Sequence, residues 1–96
     1  MEIIRLRATG KDRERVEPVL RQLAGTVRTR GLSRVKIYRH PGMNTDVCVH
    51  LEWEAGRLDA NGSALGIHLS GELGAFGLID HSVWIAEENE KGEEDV

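Results

Sequence analysis

A chain of 96 residues, 40% hydrophobic and 30% charged, supports one hydrophobic core and is too short for two. No apolar run approaches the roughly 18 residues of a membrane span, and the start "MEIIRLRATG" has no basic segment leading into an apolar one, so neither a span nor a signal peptide is expected. The formal net charge is −3, and the lone Cys48 has no partner for an internal disulfide, which fits a reducing, cytoplasmic location.

Charge is unevenly spread. Eleven Lys/Arg and four Asp/Glu precede Pro41; from there on, two Lys/Arg meet twelve Asp/Glu. Residues 87–96, "EENEKGEEDV", have no hydrophobic periodicity and read as an acidic frayed tail behind a domain spanning 1–86. Without that tail, twelve basic residues stand against ten acidic ones. A nearly neutral body argues against non-specific nucleic-acid binding.

Glu2 to Thr9 alternates, with Ile4, Leu6 and Ala8 on one side and Ile3, Arg5 and Arg7 on the other, which predicts a first strand. Val16, Leu20, Leu23 and Val27 then form a helical stripe. Pro18 interrupts it, and because an interior proline costs ~3 kcal/mol, the helix is expected to start near Glu14–Glu17. "LSRVKIYRH" predicts a second strand with Val35 and Ile37 inward and Lys36, Tyr38 and His40 outward; "PGMNTD" predicts a turn. In "TDVCVHLEWE", Val47, Val49, Leu51 and Trp53 share one face of a third strand, and Asp46, Cys48, His50, Glu52 and Glu54 share the other. A second helix follows, capped by Asn61 or Ser63 and striped by Leu65, Leu69, Leu73 and Phe76. Its glycines at 66, 71 and 74 each cost ~1 kcal/mol against alanine, so a close approach by another backbone or a bulky ligand is expected on that side. "LIDHSVWIAEE" predicts strand 4, with Ile79, His81, Val83 and Ile85 opposing Asp80, Ser82 and Trp84.

The order β-α-β-β-α-β predicts an α+β, ferredoxin-like domain: a four-stranded antiparallel sheet with two helices on one face. The uncovered face would then collect Arg5, Arg7, Tyr38, His50, Glu52 and Trp84. Aromatic and ionic side chains mixed in this way suit a partly buried surface with paired charges, so two copies are expected to pack sheet to sheet, with Arg5 and Arg7 meeting Glu52 or Asp80.

This element order, and the Trp53 that closes strand 3 before a loop and helix, resemble the dimeric α/β-barrel superfamily, and within it antibiotic-biosynthesis-monooxygenase-type domains, over about residues 2–86. The resemblance implies a homodimeric barrel with its helices outside, a small aromatic ligand, and cofactor-independent oxygenation in some members. Haem-degrading members use an Asn on strand 1, a Trp ending strand 3 and a His on helix 2. Trp53 and His68 match the last two, but strand 1 carries Ile4, Leu6 and Ala8 where the Asn would stand, which argues against haem; no cofactor is expected.

Two candidate sites follow: a helix-side cleft with Trp53 and His68, and a sheet-face cluster of Arg5, Arg7, Tyr38, His50, Glu52 and Trp84. Catalytic residues stay unassigned. His40, His50, His68, His81 and Cys48 show no C-x-x-C or H-E-x-x-H spacing, so no metal is expected. Cys48 and His50 lie ~7 Å apart along their strand, too far to guarantee a thiol–imidazole contact. Base stacking on Tyr38 and Trp84 would need the closely spaced aromatics of RNA-binding sheets, which are absent. The alternative to a ligand-binding protein is a non-catalytic dimerisation module.

Overall fold

In the computed structural model, residues 1–8, 13–26, 29–42, 46–54 and 58–85 are described. The elements run β1 (Glu2–Ala8), α1 (Arg13–Thr26), β2 (Leu32–Arg39), β3 (Asp46–Trp53), α2 (Ala64–Leu73), a 3-10 turn (Gly74–Phe76) and β4 (Gly77–Val83). The four strands form one antiparallel sheet in the order β2-β3-β1-β4. With two helices beside it, this is an α+β fold with features of the ferredoxin-like plan. The tail expected over 87–96 lies outside the described residues, as do Thr9 and Val27. No helix among the described residues is long and apolar enough to cross a membrane.

The alternating patterns set the layers. Ile4, Leu6, Val47, Val49 and Leu51 are buried together with Val16, Leu20 and Leu23 of α1 and Leu69 and Leu73 of α2. Both helices therefore close the same face of the sheet, where burial of each large aliphatic side chain contributes ~1.5–3 kcal/mol. The register is continuous across β1, placing Ile4 opposite Val49 on one side and His81 on the other. In β2 the pairing register with β3 shifts between Leu32 and Arg34.

The helices differ in detail from expectation. α1 starts at Arg13, so Pro18 lies inside it rather than in a late first turn. Its missing N–H leaves the Glu14 carbonyl without a helical donor, and the burial of Val16, Leu20 and Leu23 offsets the cost. α2 begins where Ser63 caps it, the hydroxyl accepting from Gly66 N at 2.9 Å. It is shorter than its apolar stripe, because the last turn tightens into the 3-10 segment before Gly77 opens β4.

Candidate functional site on the open sheet face

The face that the helices leave uncovered is built in cross-strand rows. Tyr38, Cys48, Arg5 and Asp80 form one row across the four strands. The next row toward the start of β1 holds Lys36, His50, Ile3 and Ser82. The row beyond brings Glu52 beside Arg34 and Trp84 beside Met1, whose backbones exchange hydrogen bonds of 2.6 and 2.7 Å. On the other side of Arg5, Arg7 stands between Asp46 and Leu78.

A cleft of about 420 Å³ opens around Arg5, walled by Arg7, Tyr38, Asp46, Leu78 and Asp80 with Cys48 in its floor. The Arg7 Nε lies 3.7 Å from Asp46 Oδ2, and Arg39, at the rim, pairs with Glu17 of α1. Arg5 has no hydrogen bond and no carboxylate within ion-pair distance among the described residues. Burial pushes the Cys48 thiol up, with the Arg5 charge opposing it, so the cleft floor is neutral at neutral pH.

The sheet-face residues expected to act together divide into two groups. Arg5, Arg7 and Tyr38 line the cleft. His50 stacks obliquely on Tyr38, ring centroids 4.6 Å apart, one row away. Glu52, 3.9 Å from Arg34, and Trp84, whose indole donates to Ser82 Oγ at 2.9 Å, lie two rows from Arg5, roughly 13 Å along the strands.

The helix side is built differently from the expected cleft. His68 does not point under Trp53: its side chain is 67% exposed and its Nε2 lies 3.1 Å from Glu72. Trp53 turns its indole inward and donates to Glu2 Oε1 at 3.0 Å. Glu2, fully buried, is the residue the sequence reading missed. Its carboxylate also accepts from Ser63 N at 3.0 Å and Ser63 Oγ at 2.7 Å, and its Oε2 lies 2.5 Å from His81 Nε2. Burial pushes the Glu2 carboxyl up, but the bonds from Ser63, His81 and Trp53 outweigh it and hold the group below its usual range. An ionised carboxylate only accepts, so the His81 Nε2 that meets it carries a proton. The room expected for a ligand beside α2 is filled from within: a methyl on Gly66 would overlap the Glu2 carboxylate, and one on Gly62 would meet both Glu2 and His81. Since the carboxylate stands between serine and imidazole, Ser63 has no imidazole base and the trio is not a nucleophilic triad.

No group of three or more His, Cys, Asp or Glu among the described residues is placed to hold a metal ion. No family model, curated protein or solved structure matches the chain. What the site can do is therefore read from its own side chains.

Proposed function

We propose that this protein is a small-molecule-binding homodimer, in which two copies bring their open sheet faces together as a dimeric α/β barrel and enclose the cleft around Arg5. The observation that carries the reading is the make-up of that face. Leu78 is 74%, Trp84 59% and Tyr38 45% exposed, beside Arg5 and Asp80, on a sheet whose other side the helices close. A sheet with one wet face normally keeps that face polar, and large apolar side chains gathered there mark an interaction surface. The cleft volume falls within the range of ~300–1,000 Å³ usual for small ligands. Tyr38 and Leu78 offer flat and aliphatic walls to an aromatic ring. The likeness to antibiotic-biosynthesis-monooxygenase-type domains extends the reading to cofactor-independent conversion of that compound.

Light scattering across a dilution series, paired with an aromatic fragment screen by NMR, tests it. The expected result is a mass near twice 10.7 kDa and fragment-induced shifts at Arg5, Tyr38 and Cys48. A monomer whose cleft takes no fragment would sink the proposal. A second reading, a dimerising module without a ligand, draws on Trp84, which extends the apolar surface two rows beyond the cleft. It requires a dimer in which no fragment binds.

A further inference from the structure

The three arginines at the cleft are not equivalent. Arg7 and Arg39 each have a carboxylate of this chain, Asp46 and Glu17. Arg5, in the same lining, has none among the described residues, although Asp80 is its cross-strand neighbour on β4. The side chain directly across β1 from Asp80 is Cys48, which burial keeps as a neutral thiol and which therefore supplies no counter-charge.

We infer that the ligand is an amphipathic aromatic monocarboxylate, its carboxylate taken by the Arg5 guanidinium and its ring held between Tyr38 and Leu78. The inference rests on the proposed small-molecule reading and names the ligand class. A guanidinium presents parallel N–H donors that match a carboxylate in two-point geometry. The register suits the pairing: Leu78 faces Arg7, one strand across and one same-face row (about 7 Å) along from Arg5, and Tyr38 lies in Arg5's own row two strands to the other side, so the guanidinium stands between the two apolar walls. Asp80 sets the charge limit. One carboxylate can pair with Arg5, whereas a second would sit against an exposed aspartate with no free cation of the cleft, among the described residues, left to meet it.

The experiment titrates the full chain with 2-naphthoate and, separately, with 2-naphthalenemethanol, following backbone amide shifts by NMR. The expected result is that naphthoate moves the Arg5, Tyr38, Cys48 and Leu78 amides and binds about tenfold more tightly than the alcohol, the scale of one charge-assisted hydrogen bond. Arg5→Gln is expected to erase that preference. Asp80→Asn, which removes the competing carboxylate, is expected to tighten naphthoate, and it guards against a misfolded Arg5 variant being read as support. If the alcohol binds as well as the acid, and neither substitution alters the ratio, the carboxylate assignment is overturned while the cleft remains a ligand site. If neither probe moves these amides, the cleft is not a ligand site, and the proposal falls together with the reading on which it rests.

Discussion

Glu2 Oε2 and His81 Nε2 stand 2.5 Å apart on the helix-covered side of the sheet, joining the first residue of β1 to β4 with the carboxylate wholly buried. Taking a carboxylate out of water costs several kcal/mol, and here four donors from β3, β4 and the cap of α2 offset it. The pair is a structural pin that locates the start of α2 against the strands which, on their opposite face, carry Arg5 and Asp80.

Replacing Glu2 with Gln keeps the shape but turns an amide N–H toward groups that are themselves donors. A loss of about 3 kcal/mol is expected, the lower part of the range for breaking a buried pair, seen as a lower urea midpoint with an unchanged slope. The pH dependence has a definite sign. Because folding lowers the Glu2 pKa, its contribution is fully present above the ordinary carboxyl value and is lost as pH falls through the depressed folded-state value. The part of the wild-type advantage over Glu2→Gln that comes from the Glu2 ionisation should therefore shrink on the acid side and not on the alkaline side. An advantage that shrinks towards alkaline pH would contradict this.

Two glycines of α2 separate helix propensity from packing. Gly71 meets nothing within 4 Å of an added Cβ, so Gly71→Ala should stabilise by up to ~1 kcal/mol. Gly66→Ala gains the same propensity but drives a methyl into a carboxylate fixed by four donors. Overpacking of this kind costs ~1–3 kcal/mol, and the displaced hydrogen bonds add to it, so the net sign reverses. Thermal melts of the two variants should move in opposite directions.

The strands were legible because alternation fixes which residues share a face: Ile4, Leu6, Val47, Val49 and Leu51 are all buried as their parity requires. The sheet-face residues Arg5, Arg7 and Tyr38 were legible for the same reason. Glu2 had the same parity as Ile4, and His81 the same as Ile79, so both lay on the inward side in plain sequence. Their meeting was hidden, because strand register and the placement of Ser63 are long-range facts that no local pattern carries. His68 misled for the opposite reason. It flanks the Leu65–Leu69 stripe, and a shift of a fraction of a turn decides whether such a residue faces a cleft or, as here, water and Glu72. An exposed pair of this kind contributes at most ~0.5 kcal/mol, so His68→Ala should leave stability and ligand binding nearly unchanged.

Cys48 reports on the electrostatics of the cleft. Burial raises its pKa and the Arg5 charge opposes that rise. The thiolate is the reactive form, so iodoacetamide should alkylate Cys48 more slowly than a free cysteine at the same pH. Arg5→Gln removes the opposing charge and should slow alkylation further. A faster reaction in that variant would mean that Arg5 shields the thiol sterically more than it stabilises the thiolate.

Leu78 and Trp84 distinguish a dimeric face from an open one. In a monomer both side chains already meet water, at 74% and 59% exposure, and substitution there should change stability by no more than ~0.5 kcal/mol. In a face-to-face dimer, Leu78→Asp would bury a carboxylate near Asp80, with the nearest cation, its cross-strand neighbour Arg7, already facing Asp46. The dimer should then weaken by at least about tenfold, from ~1.4 kcal/mol or more of uncompensated desolvation. Trp84→Ala removes only apolar contact and should weaken it less steeply. Light scattering by dilution gives both dimer constants, and urea unfolding of the dissociated chains gives the monomer baseline. A dimer that both variants leave intact would place the interface away from this face, most plainly on the unpaired edge of β2 or β4. Loss of the dimer with an unchanged monomer baseline would assign it to the sheet face that carries Arg5.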